Sequence, residues 1–111
     1  MKRGEVWLFA LDPTVGHEQQ GTRPALVVSS DRFNQSGAQL VVIVPITSKE
    51  RRFLPRPKVD PPEGGLSLTS WIITEQVRAV SVTRAQKRLG AVSPAILSAV
   101  DSQLKSVLGL S

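Results

Sequence analysis

The chain has 111 residues, 41% of them hydrophobic and 21% charged, with a formal net charge of +5, one histidine and no cysteine. That length fits one domain, residues 1–111, and the composition is that of a globule rather than a disordered or fibrous chain. Without cysteine there is no disulfide, Cys-ligated zinc or thiol nucleophile, and a lone histidine disfavours an all-protein zinc site, so no metal or other cofactor is expected.

No apolar run approaches the roughly 20 residues of a membrane span, and the opening MKRGEVWLFALDP meets Glu5 and Asp12 too early for a signal-peptide core. No membrane contact and a cytoplasmic address are therefore expected. The charge is uneven: residues 49–58 and residues 78–88 each carry a net +4, which leaves −3 on the remainder. A surface of that kind attracts polyanions, and clustered Lys and Arg are suited to phosphate. A solvated basic face would give the same clusters.

EVWLFAL is apolar on both parities, with Val6, Leu8 and Ala10 pointing one way and Trp7, Phe9 and Leu11 the other, as in a strand buried on both faces. Trp7 and Trp71 are expected in the core. DPTVGHEQQGTRP has no periodicity and reads as a loop of the length that is usually functional or disordered. ALVVSS and QLVVIVPI are β-branched strands, with Pro45 demoting the end of the second. In residues 49–65 the piece LPRPKV can add a short edge strand, and the rest reads as mobile loop.

SWIITEQVRAVS alternates, placing Ser70, Ile72, Thr74, Gln76 and Arg78 on one face and Trp71, Ile73, Glu75, Val77 and Ala79 on the other. Ser93 then caps and Pro94 opens a terminal helix whose stripe is Ile96, Leu97, Val100, Leu104, Val107 and Leu108. Strands followed by one helix predict a mainly β fold, a small, strongly bent antiparallel sheet or barrel with a C-terminal α-helix packed against it.

Cleavage of RNA without metal or thiol needs little from a protein, because the substrate's own 2′-hydroxyl can be the nucleophile. What remains is a proton acceptor, a proton donor for the 5′-oxygen and positive charge at the crowded phosphate. His17, Glu18 and Arg23 are of the right types, and Pro24 stiffens the backbone beside Arg23. Thr47 and Ser48 stand at the end of an apolar strand, where a hydroxyl can leave the ladder. Arg51, Arg52, Gln76 and Arg78 are candidate contacts to phosphates or bases. Each has a bland alternative: an arginine bridging loop to strand, a threonine bonding a turn, a solvated loop histidine, a loop-stabilising glutamate.

Taken together, RGEVWLFALDPTVGHEQQGTRPALVVSS, VVIVPITS, GGL ahead of EQVR, and the closing LGL resemble the MazF/PemK family of toxin endoribonucleases over nearly the whole chain. The resemblance implies an SH3-like, CcdB-like β-barrel with a C-terminal helix, acting as a homodimer. It implies metal-free, sequence-specific cleavage of single-stranded RNA such as mRNA, leaving a 2′,3′-cyclic phosphate and a 5′-hydroxyl. By the match of TRP, Arg23 takes a catalytic position; by the match of PITS, Thr47 takes that of its partner at the scissile phosphate; Glu18 and Gln76 match positions in the groove. A guanidinium is a poor proton acceptor near neutral pH, so Arg23 reads first as an electrostatic clamp.

One departure stands out. The Kid/PemK branch carries an Arg-x-Asp before the Gln of this strand, where this chain has Ile73, Thr74 and Glu75. The site is therefore read as Arg23 and Thr47, with His17 and Glu18 in support. The resemblance also implies a MazE-like antitoxin whose acidic segment covers the basic groove. Two other classes compete: a CcdB-like gyrase poison, whose activity is tied to a terminal Trp-Gly-Ile where this chain ends Leu108-Gly109-Leu110-Ser111, and a non-catalytic SH3-like nucleic-acid-binding module.

Overall fold

The computed structural model describes residues 1–11 and 21–111. Its elements are β1 (Glu5–Ala10), β2 (Thr22–Val27), α1 (Asp31–Asn34), β3 (Leu40–Thr47), β4 (Lys58–Val59), β5 (Ser70–Ile72), β6 (Arg78–Ser81), β7 (Ala85–Ala91) and α2 (Pro94–Leu108), with 3₁₀ turns at Glu63–Gly65, Thr74–Gln76 and Val82–Arg84. The strands run in the order β4-β5-β3-β2-β1-β7 with β6 also on β3, and every pairing is antiparallel. The sheet curls into a half-barrel closed by the C-terminal helix.

Curling leaves apolar groups on both faces, and period-two alternation sorts them into two cores. Val6, Leu26, Val44, Ile46 and Ile72 join Val59, Leu66 and the fully buried Val100 of α2. Phe9, Leu11, Ala25, Val27, Val41, Ile43 and Val80 form the second. β1 serves both, as its double-sided pattern requires, and register shifts after Val6 and after Leu8 rotate it between them. Trp7 and Trp71 are only half-buried, so the expected core tryptophans sit at the margin, Trp7 packed against the second core from its edge. The Trp7 indole N–H donates to Glu5 Oε1 at 3.1 Å, a bond that favours a position near the rim.

β3 tolerates a proline in its interior. Pro45 sits opposite Ala25, and its carbonyl still accepts the Ile73 N–H at 2.8 Å. The expected strand 70–81 is two strands. Ile46 faces Ile72 and Ile43 faces Arg78, so three steps back along β3 correspond to six forward along the other chain. The extra three residues are taken up by the turn Thr74–Gln76, whose N-terminal neighbour Ile73 has φ −89° and ψ 77°. Ile73 and Thr74 are consecutive and both buried, which strict alternation would forbid.

β7 was expected only as part of a basic cluster. Gln86, Lys87 and Arg88 are exposed, so this edge strand has no apolar period to reveal it. The short edge strand expected in LPRPKV forms at its end as β4, paired with β5, whereas residues 60–65, expected as mobile loop, are built into the fold, with Gly64 buried against Val6.

The terminal helix starts and stops where its residues dictate. The Ser93 hydroxyl accepts the Ile96 N–H at 3.3 Å, Pro94 occupies the first turn, and Gly109 turns left-handed at φ 69°. The Glu63 carboxylate accepts the Ser93 N–H at 2.8 Å, the task a glutamate inside the first turn performs in a capping box. Arg3 binds the Asp101 carboxylate and the Val28 carbonyl, tying the N-terminus to α2. The apolar stripe is buried at Val100 and packs through Ile96, Leu97 and Leu104. Val107 and Leu108 are about half exposed, at 46% and 54%, so the stripe outruns the core it was expected to cover. No helix among the described residues is long and apolar enough to cross a membrane.

Candidate functional site

β2 and β3 place the two central residues. Their antiparallel register sets Ala25 against Pro45, and two further residues along each strand reach Arg23 and Thr47, on the side of the sheet that Ala25 and Pro45 define. Both line one cleft of about 170 Å³ together with Pro24, Ser48 and Ser70. Arg23 is exposed at the strand's start. Thr47 is only 8% exposed, so its hydroxyl is held rather than free to roam. Thr47 Oγ1 accepts the Lys49 N–H at 3.2 Å, an ST-type turn that occupies an acceptor lone pair and leaves the hydroxyl proton to be donated outward.

Thr47 also borders a second cleft of about 410 Å³, shared with Lys49, Arg51, Leu54, Arg56, Glu75 and Gln76. Glu75 and Gln76 border a third, of about 350 Å³, that continues to Val77 and Arg78. Shared walls join the three into a groove running from Arg23 past Thr47 and Gln76 to Arg78. Among the described residues its lining holds Arg23, Lys49, Arg51, Arg56 and Arg78 against the one carboxylate of Glu75. Such a channel focuses positive potential along its length.

Glu75 is held by Arg56, whose Nε and Nη2 reach Oε2 at 3.0 and 2.5 Å. Burial favours the neutral acid, but the hydrogen bond from Arg56 and the positive charges of Arg56 and Arg51 outweigh it, holding the carboxyl below its ordinary range. The acid therefore stays ionised and acceptor-only.

The structure thus brings together Arg23, Thr47 and Ser48, then Arg51 and Gln76, then Arg78. Arg52 lies on the exposed surface beside the groove. His17 and Glu18 lie outside the described residues. The described residues on either side are joined: Leu11 N–H donates to the Gly21 carbonyl at 2.9 Å, two residues before Arg23. Thr74, expected beside Gln76 and Arg78, is buried at 2% and faces the core. Glu75, assigned by alternation to the opposite face, enters the groove because the 3₁₀ turn interrupts the strand. A polar run, TEQ, inside an otherwise apolar strand is the one signal that marked such a break.

The family model for the PemK-like, MazF-like toxin of type II toxin-antitoxin systems matches residues 2–108. The chain belongs to this family. The endoribonuclease PemK of Escherichia coli is 39% identical over 110 residues, spanning 97% of this chain and 82% of that protein. The endoribonuclease MazF9 of Mycobacterium tuberculosis is 36% identical over 115 residues, spanning 99% of this chain and 98% of that protein. Among solved structures, MazF from Deinococcus radiodurans superposes with a TM-score of 0.81 at 27% identity, covering 99% of this chain and 97% of that one. A MazE–MazF structure from the same organism gives 0.79 at 28% identity, covering all of this chain and 97% of its counterpart. The half-barrel with its C-terminal helix is the fold of these MazF toxins.

Proposed function

We propose that this PemK/MazF-family toxin is an endoribonuclease that cuts single-stranded RNA, mRNA included, at short sequence motifs without metal. The observation that carries the reading is that Arg23 and Thr47 line one cleft opening onto a cationic groove. The names of the relatives, endoribonucleases at 39% and 36% identity, agree with it.

In the reaction the 2′-hydroxyl attacks the adjacent phosphorus. The 2′-O–P bond forms, the P–O5′ bond breaks, the 2′-proton passes to an acceptor, and the 5′-oxygen gains a proton. The products are a 2′,3′-cyclic phosphate and a 5′-hydroxyl. Arg23 neutralises the charge that builds on the non-bridging oxygens, and the Thr47 hydroxyl donates to one of them. His17 and Glu18 supply the proton traffic. Ser48, Arg51, Arg52, Gln76 and Arg78 guide the strand through the groove.

The toxin works in the cytoplasm, apart from membranes, as a homodimer in which the exposed apolar end of α2 at Val107, Leu108 and Leu110 is covered. A MazE-like antitoxin lays an acidic segment along the groove and blocks RNA. In support, the Deinococcus radiodurans relative is known in a MazE–MazF structure.

The test is cleavage of a defined single-stranded RNA pool in EDTA, with the fragment ends sequenced and their chemistry determined. Cyclic phosphate and 5′-hydroxyl ends, lost in Arg23→Ala at unchanged circular dichroism, are expected. Full activity in Arg23→Ala would remove the site assignment, and 3′-hydroxyl ends would remove the 2′-hydroxyl mechanism. Inhibition of gyrase supercoiling with RNA intact would replace the ribonuclease reading by a gyrase poison.

A further inference from the structure

We infer that Phe53 is a stacking platform for one base of the bound single-stranded RNA, set beside the cleft that Thr47 borders. The inference rests on the ribonuclease reading and adds a contact that the groove's charges do not account for. Of the three phenylalanines, Phe9 is fully buried and Phe33 is 36% exposed, whereas Phe53 is 98% exposed. An aromatic ring held entirely in water contributes nothing to the core and is free to meet a ligand.

Its presentation is built. Leu54 N–H donates to the Arg51 carbonyl at 3.1 Å, closing a four-residue turn with Arg52 and Phe53 at the two corners. Arg56 N–H donates to the Leu54 carbonyl at 2.8 Å and tightens the turn's foot. The foot is fixed in turn by the Arg56 guanidinium on Glu75, with the Arg56 side chain only 9% exposed. Arg51, Leu54 and Arg56 line the cleft that contains Thr47, so the turn rises from its wall and carries the ring at its tip.

The chemistry around the ring selects the occupant. Between residues 49 and 56 stand Lys49, Arg51, Arg52 and Arg56 against Glu50 alone. A ligand that satisfies both the cations and a flat apolar face is an unpaired nucleotide, with phosphate on the guanidinium groups and base on the ring. Stacking of this kind tolerates every base, so Phe53 adds affinity and register more than sequence choice.

The experiment uses the full chain and a cleaved oligoribonucleotide made resistant by a 2′-O-methyl group at the cut nucleotide. Equilibrium binding is measured for wild type, Phe53→Ala, Phe53→Leu and Phe53→Trp, on the intact oligonucleotide and on versions abasic at one position each. Phe53→Ala and Phe53→Leu are expected to raise Kd about tenfold at unchanged Tm, with Phe53→Trp near wild type. One abasic position should cost wild type a similar factor and cost Phe53→Ala nothing further. An unchanged Kd in Phe53→Ala, or equal losses at every abasic position, would overturn the inference. So would weakened binding of the cognate antitoxin with RNA binding intact, since the ring would then serve the protein partner. A wild-type chain that neither cuts nor binds RNA would fell the ribonuclease reading itself, whereas active wild type with indifferent Phe53 variants fells only the stacking contact.

Discussion

Gly65 and Gly90 meet backbone to backbone. A Cβ placed on Gly65 would lie 2.0 Å from the Leu89 carbonyl oxygen, and one on Gly90 would lie 2.7 Å from Gly64 C and Gly65 N. The turn at Glu63–Gly65 therefore seats directly on β7, and neither partner can retreat, because both contacts are main chain. Gly65→Ala also forces a side chain onto φ +70°. We expect Gly65→Ala and Gly90→Ala each to cost about 2–4 kcal/mol, read as a Tm drop of about 10 °C or more. Gly37→Ala, at φ +86° with nothing within 4 Å, is the control and should cost about 1 kcal/mol.

Thr47 offers an isosteric test of the hydroxyl. Thr47→Val keeps the shape and removes the donor, together with the acceptor for Lys49 N–H. Cleavage should fall roughly 10²–10³-fold, the usual cost of losing one donor to a transition-state oxyanion. Thermal stability should fall by only about 1 kcal/mol. Thr47→Ser should stay within about tenfold of wild type in the same assay, because the hydroxyl is retained.

Arg56 and Arg52 carry the same charge but occupy different settings. Arg52→Met removes one exposed cation and should lower the slope of log K against log salt by about 0.7 for a single strand. Arg56→Met removes a cation and also strands the ionised Glu75 in the groove. Its RNA affinity should fall by a further factor of about ten. Titration of a resistant oligonucleotide at several salt concentrations separates the two, and equal losses would show that the Glu75 pair has no bearing on the strand's path.

Glu5 contributes to the change in stability at low pH. Burial opposes its charge, but hydrogen bonds from Lys2 N–H, Arg88 and Trp7 prevail and lower its pKa from 4.5 to about 2. A depressed folded-state pKa means the stabilisation is complete above pH 4.5 and is lost as the pH falls toward about 2. Glu5→Gln should be about 1–3 kcal/mol less stable than wild type at pH 7, with the gap closing near pH 2 in urea melts.

Much of this is legible in the sequence. Val6, Leu26, Val44 and Ile46 lie in apolar runs, rich in β-branched residues in β2 and β3, that read as strands, and Ser93 and Pro94 marked the start of α2 by chemistry local to the chain. Arg23 and Thr47 were legible through motif resemblance, and the β2–β3 register explains why such distant residues share a cleft. What stayed hidden was tertiary in origin. β7 is polar because it lies at an edge and, among the described strands, pairs only with β1. Gly64 and Gly65 look like punctuation in sequence, yet Gly65 leaves no room for a side chain against the Leu89 carbonyl, and Gly64 holds φ +69° with Val6 3.2 Å from where a Cβ would stand. Glu75 changed face because β3 accepts two strands out of register with each other, a mismatch that neither strand records by itself.

The bond from Ser93 to Glu63 ties the start of α2 to the turn at Glu63–Gly65. The Ser93 N–H meets a carboxylate thirty residues upstream, and that carboxylate belongs to the turn seated on β7. The start of α2 and β7 thus share one support, and amides at the helix start should share their exchange protection with those of β7 rather than fray alone.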